Sequence, residues 1–320
     1  MALRNDYFQV QQAVQGFGGT QNSGVYVVLH RTTNTTCIEK RVAAKQNGAE
    51  SVEHEIRTMK QVKGHPNIVS ILEYDTDDID TTYASIYMQH CELGSLDSLI
   101  GRFAQRDLYL EDEGFLWKVL WDVSLALCYL WTGHDYEDTR QRALQGQCVD
   151  GREAGWNAII HRDMKPGNIF MTWWGPQGCD PSSVYPIVVL ADFGCSVTST
   201  DILLNTKPAQ LLRRGRVCFD PPEPRYTKQA DVYGIGLIMH CLALMQQLPC
   251  GSVNEREATP FGEGHGFCEG LEEAVQKCLI ENPSSRPTPE GLPKMVWEAY
   301  WQWRSARSND GQSLPGWTFG

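Results

Sequence analysis

Hydrophobic and polar positions tend to alternate in the first part of the chain and recur every three or four residues in the helical segments that follow. In Tyr7–Val14, Val25–His30 and Thr36–Val42, β-branched and aromatic residues alternate with polar ones, the period of half-buried strands. Arg31, Thr32, Thr33 and Asn34, between the second and third runs, read as a turn. After Gly48 the period changes: Val52, Ile56, Met59 and Val62 form the stripe of an amphipathic helix, stopped by Gly64 and the His65–Pro66 pair. From residue 114 onward Phe115–Leu130, Tyr233–Met245 and Leu271–Glu281 predict helices, with short strands near Asn168–Met171 and Tyr185–Asp192. A small strand-rich part followed by a larger helical part predicts an α+β chain of two lobes with a cleft between them. Residues 132–155 and 173–186 are polar or rich in Gly and Pro, and predict surface loops. Trp117, Trp121 and Trp131 recur near helical spacing, a pattern of core packing.

Composition narrows the class. The 320 residues are 42% hydrophobic and 21% charged, enough apolar material for a sizeable core and too much for a disordered chain. A net charge of -11 disfavours a nucleic-acid surface as the main purpose, since phosphate contacts need clustered Lys and Arg. The N-terminal residues lack the apolar core of a signal peptide, and the longest apolar-rich run, Tyr233–Met245, is too short to span a bilayer. No membrane role and an intracellular location, in cytoplasm or nucleus, are therefore expected. Eleven cysteines, odd in number and without a CxxC pair, read as reduced and mostly buried thiols. Asn34 opens a glycosylation sequon, which in this setting reads as a polar hairpin turn.

The most informative stretch is His161–Asn168, HRDMKPGN. Asp163, Lys165 and Asn168 put a carboxylate, a cation and a metal-binding amide on one tight loop, as transfer of a phosphoryl group to a hydroxyl requires. Asp192–Phe193–Gly194 follows an apolar run and supplies a second carboxylate for Mg2+. With these motifs the chain resembles the eukaryotic protein kinases of Ser/Thr type from about Tyr7 to Trp303. Pro221–Glu223 sits where that family has its APE triplet, Asp231–Gly236 resembles its DxWSxG helix, and Lys277–Leu279 with Asn282–Thr288 resembles its KCLxxDPxxRPT. Gly94–Leu96 and HRDMKPGNIF are similar, more weakly, to NIMA-related and fungal-type kinases.

The resemblance implies one bilobal kinase domain over residues 1–320, with a small lobe to about residue 90, a large lobe over 91–304 and a short tail over 305–320. It implies ATP and Mg2+ as cofactors and Ser/Thr hydroxyls of proteins as acceptors. Asp163 would orient the acceptor hydroxyl and take its proton, Lys165 would steady the transferring phosphate, and Asn168 and Asp192 would hold the metal. Lys165 favours Ser/Thr over Tyr acceptors. Two lysines compete for the phosphates. Val42–Lys45 resembles the family's VAxK but leaves only ten residues to Glu55, while Lys40 lies fifteen after Val25 and fifteen before Glu55, so Lys40 paired with Glu55 is expected. In that register only Gly18 of the three loop glycines is in place, with Thr20 and Ser23 at the others, and Ile38 stands where a small alanine usually covers adenine. Met88 precedes a hinge of Gln89, His90 and Cys91, with Glu92 next to the ribose. Gly262–Gly266 contains a glycine cluster that no strand precedes, which predicts a loop between helices.

His161, Arg162, Phe193 and Asp231 carry the family's structural and regulatory positions, and Glu223 and Arg286 are expected as a buried ion pair. Switching is expected through residues 195–219, where Arg162 would meet a phosphate on Thr198, Ser199, Thr200 or Thr206. Arg216 replaces a threonine of the family, and three readings stay open: pairing with Asp163 at rest, contact with acidic substrates, or a side chain turned to solvent. Two other functions stand beside the kinase: a silent kinase fold used as scaffold or allosteric partner, and a small-molecule phosphotransferase, which would have no reason to carry Pro221–Glu223 and Arg286.

Overall fold

The computed structural model describes residues 3–14, 22–43, 48–76, 83–175, 184–212, 218–249, 261, 266–306 and 314–319. The alternating segments form β1 (Tyr7–Val14), β2 (Asn22–His30) and β3 (Thr36–Ala43), joined by β4 (Ile71–Asp75) and β5 (Tyr83–Gln89) in an antiparallel sheet of order β1-β2-β3-β5-β4. The tight β2–β3 turn needs left-handed backbone, which Asn34 supplies at φ 55°. Helix α1 (Gly48–Gln61) covers one face of the sheet and buries Val52, Ile56 and Met59 against Val42 and Ile86. Each such side chain contributes about 1.5–3 kcal/mol of hydrophobic stabilisation. The opposite face carries a second cluster in which Tyr7 stacks on Tyr87 at 3.9 Å beside Val28 and Cys37.

The large lobe is built on α3 (Glu113–Thr132), packed against α4 (Tyr136–Leu144), α6 (Lys228–Leu244), α8 (Leu292–Ser305) and the hairpin of β7 (Ile169–Thr172) and β8 (Ile187–Leu190). Short pieces complete it: α2 (Leu96–Ala104), β6 (Ile159–Ile160) paired with β9 (Val197–Thr198), α5 (Ser199–Leu203) and α7 (Glu269–Cys278). Asp112 caps α3 by accepting from the Gly114 amide, and Gly133 ends it at φ 80°. A side chain at Gly133 would collide with the Trp156 ring, 2.5 Å from the place of its Cβ. This helix is long and apolar enough to cross a membrane by length and composition, a property that the run of apolar residues predicts for no segment. It is instead buried at the centre of the lobe. Trp117 lies in that core, Trp121 packs on Trp297, and Trp131 sits under the Lys228 ammonium.

One expectation fails within 132–155, where the polar pattern predicts a loop and the chain forms α4. Asp135 caps this helix by accepting from the Asp138 amide, while only Thr139 and Ala143 are buried, two small residues that leave almost no apolar stripe in the sequence. Of residues 173–186, Tyr185 is fastened by its hydroxyl, which donates to Asp112 at 2.6 Å, and 176–183 lie outside the described residues. So do Gly262 to His265. The nine described cysteines are thiols outside any disulfide: five are buried, and Cys148 and Cys218 are exposed.

Candidate active site

The cleft is lined from above by β3 and α1. Lys40 lies opposite Val25 on β2, and Ile38 lies opposite Met88 on β5. Paired and alternate residues share one face of a sheet, so Val25, Ile38, Lys40 and Met88 all look the same way. Lys40 Nζ donates to Glu55 Oε1 on α1 at 2.6 Å and to Asp192 Oδ1 below the cleft at 2.8 Å. Lys40 and Glu55 are almost fully buried, and Asp192 is partly buried. Burial works against the Lys40 cation, but Asp192 and Glu55 outweigh it and hold the ammonium well above the ordinary lysine value. The same contact with Lys40 holds the Asp192 carboxyl well below the usual carboxylate range, against the effect of burial.

From below, the loop after β6 is held by buried polar contacts. Asp231 on α6 accepts from the His161 and Arg162 amides at 2.7 and 2.9 Å, which supports the left-handed Arg162 at φ 68°. His161 Nε2 lies 3.0 Å from the Ala191 carbonyl oxygen, and its ring meets Phe193 edge-on at 5.1 Å. These contacts present Asp163, whose Oδ2 accepts from Lys165 Nζ at 2.7 Å and from Asn168 Nδ2 at 2.8 Å. Asn168 also donates to the Asp163 carbonyl oxygen at 2.8 Å, which leaves the amide oxygen of Asn168 as its acceptor. Asp192 sits at φ 67°, and a Cβ at Gly194 would come within 3.3 Å of both Asp192 Oδ1 and Glu55 Oε2. The glycine keeps this carboxylate pair and its lysine in contact. An anionic Asp192 and the Asn168 amide oxygen are hard oxygen donors of the kind Mg2+ takes, so the residues fit that ion.

Other expected residues are placed as follows. Glu223 and Arg286 form a bidentate pair at 2.9 and 3.1 Å, and Arg286 also donates to the carbonyls of Gln229, Ile280 and Glu281. Gln89, His90 and Cys91 leave the end of β5 at the mouth of the cleft. The Glu92 carboxylate accepts from the Thr172 hydroxyl at 2.6 Å and from the Trp173 amide at 2.7 Å. Arg162 donates to the Cys195 carbonyl at 2.6 Å and lies over the Tyr226 ring. Thr198 caps α5 through Asp201, and Ser199 and Thr200 donate to Asn157 Oδ1. Gly18, Thr20, Lys45 and Arg216 lie outside the described residues.

Two contributors are missed by sequence reasoning. His54 on α1 lies 3.0 Å from the Ser196 carbonyl oxygen and ties the helix to the segment after Gly194. Burial, with Lys207 nearby, holds its imidazole below the ordinary histidine value. Asn157 joins α5 to Gln61 at the end of α1, since Gln61 Nε2 donates to its carbonyl at 2.8 Å. Both partnerships span long stretches of chain, and no local pattern signals them.

A five-stranded lobe that offers a lysine and a helix glutamate to a cleft, over a helical lobe that offers an Asp-x-Lys loop and an Asp-Phe-Gly turn, is the architecture of a protein kinase. Residues 11–295 match the family described as protein tyrosine and serine/threonine kinase, and the chain belongs to it. It is 26% identical over 249 residues to the serine/threonine-protein kinase Nek2 of Mus musculus, covering 74% of this chain and 48% of that protein. It is 26% identical over 240 residues to the G2-specific protein kinase nimA of Emericella nidulans, covering 70% and 31%. A putative serine/threonine-protein kinase of Acanthamoeba polyphaga mimivirus is 25% identical over 325 residues, covering 94% and 65%. The chain thus spans less than half the length of its Nek2 and NimA relatives.

Proposed function

We propose that the chain transfers the γ-phosphoryl group of ATP, with Mg2+, to Ser/Thr hydroxyls of protein substrates. The observation that carries this reading is the convergence of Lys40, Glu55 and Asp192 within 2.8 Å, with Asp163, Lys165 and Asn168 joined below them. Lys40 holds the α and β phosphates, and Glu55 keeps its ammonium aimed there. Val25, Ile38 and Met88 line the adenine side, with the main chain of Gln89, His90 and Cys91 at the edge. Glu92 also accepts from Thr172 and Trp173, which hold its carboxylate in place next to the ribose position. Asp192 and Asn168 would hold Mg2+, which when bound neutralises charge on the phosphate oxygens. Asp163 orients the acceptor hydroxyl and takes its proton, and Lys165 steadies the transferring group as charge builds on it. The largely buried thiols suit a reducing, intracellular setting.

The test is phosphotransfer from labelled ATP to generic protein acceptors. Asp163→Ala is expected to slow turnover by roughly 10^2- to 10^4-fold, the contribution of general-base catalysis, while the melting curve keeps one cooperative transition. Unchanged turnover in a folded variant overturns the mechanism.

A further inference from the structure

Residues Leu314–Phe319 dock against α2 and the start of the 173–186 stretch. The Trp317 ring lies 4.8 Å from Phe103, with the Arg106 guanidinium 4.6 Å above it, and Phe319 meets Trp173 at 5.8 Å. Thr318 is fully buried. From α2, Arg102 reaches in two directions: Nε donates to the Thr318 carbonyl at 2.6 Å, and Nη2 donates to the Leu93 carbonyl at 3.3 Å. Leu93 lies two residues beyond Cys91. On its other side the chain is bonded to β7, since the Leu93 amide donates to the Met171 carbonyl at 3.3 Å and the Met171 amide donates to the Gly94 carbonyl at 2.9 Å. The stretch leaving the cleft edge is therefore held by a strand on one side and a guanidinium on the other.

Geometry decides why the residue is arginine. A guanidinium is a planar fork of fixed donors, able to bridge two carbonyls that belong to segments more than two hundred residues apart, whereas one ammonium concentrates its donors at a point. A hydrogen bond from a charged donor is stronger than one between neutral groups, and here it fixes the side of a short connection that faces away from β7. The aromatic contacts of Trp317 and Phe319 seat the Thr318 carbonyl where Arg102 can reach it.

We infer that Arg102, seated by residues 314–319, is a positioning residue for the nucleotide: it fixes Leu93 and thereby the main-chain edge of Gln89–Cys91 that meets adenine. This rests on the proposed kinase reading, in which that edge faces ATP. The experiment uses the full chain and three variants: Arg102→Ala, Arg102→Lys, and the double substitution Trp317→Ala with Phe319→Ala, which unseats the docked segment without touching Arg102. Hydrogen exchange of the 91–94 amides is read first, then KM for ATP, KM for the protein acceptor and kcat. Exchange of these amides is expected to rise about 10-fold in Arg102→Ala and in the double variant, by the loss of one charged hydrogen bond. KM for ATP rises by a similar factor, kcat stays within about two-fold and KM for the acceptor is unchanged. Arg102→Lys falls between the wild type and Arg102→Ala. Wild-type exchange rates in both Arg102→Ala and the double variant overturn the inference, as does a fall in kcat and melting temperature with no change in KM for ATP. If the wild-type chain binds no nucleotide, the kinase reading fails, and the exchange measurement alone decides whether Arg102 and residues 314–319 hold the edge.

Discussion

His65 shows how one side chain ties stability to pH. It is buried against Tyr129, stacked at 4.7 Å, and Tyr136, edge-on at 5.7 Å, and its Nδ1 accepts from the Asn67 amide at 3.1 Å. Burial pushes its pKa down to about 3 from 6.5. Above the ordinary value both folded and unfolded chains hold a neutral ring, so the group contributes no pH dependence. Below it the unfolded chain takes up a proton that the folded chain refuses, and stability falls as pH falls until about 3. The limiting slope is about 1.4 kcal/mol per pH unit, and His54, also held low by burial, adds in the same sense. Urea unfolding followed from pH 7 to pH 4 is expected to show this loss. His65→Asn, whose amide oxygen keeps an acceptor for Asn67, flattens the curve. An unchanged slope in that variant contradicts the assignment.

Between elements, the Glu223–Arg286 pair ties the stretch before α6 to the stretch before α8. The Arg286 side chain is fully buried, and its guanidinium also lies over the Tyr233 ring. Arg286→Ala leaves the Glu223 carboxylate buried without its partner, a loss of about 3–5 kcal/mol in a denaturant midpoint series. Glu223→Gln keeps acceptor and donor atoms of similar shape and is expected to cost less. A loss in Arg286→Ala no larger than in Glu223→Gln contradicts the cost assigned to the unpaired carboxylate and to the three carbonyls that Arg286 serves. This contact is legible in the sequence because two motifs of fixed form stand at its ends. Helix α4 is not, because its burial rests on Thr139 and Ala143, neither of which reads as core in a one-dimensional pattern. Arg102 is equally silent, since a basic residue in the last turn of a helix reads as a solvated position until a distant carbonyl is brought to it.

On the scale of the whole molecule, Lys40 joins the two lobes, bonded to Glu55 in the small lobe and to Asp192 on the large-lobe side of the cleft. Lys40→Met is expected to reduce phosphotransfer on the order of 10^2-fold or more, while Lys45→Met leaves it near wild type. The reverse result would move the glycine-loop register by five residues and put Ala43, instead of Ile38, over the adenine. Counting residues from Val25 and back from Glu55 picks out Lys40 because strand rise and helix pitch convert sequence distance into reach. Counting does not foresee that Glu92 turns to Thr172 and Trp173, because that choice is made by β7, whose neighbour in space is set by the fold of the whole lobe.

The buried course of α3 bears on how the chain is made. Its apolar face is covered in large part by α8, which begins at Leu292, far along the chain from Thr132. At ribosomal rates of about 5–20 residues per second, that cover arrives roughly 10–30 s after α3 has left the tunnel. For that interval a segment apolar enough for a bilayer stands without its final partner. The large lobe therefore closes around α3 only once residues 292–305 have been made.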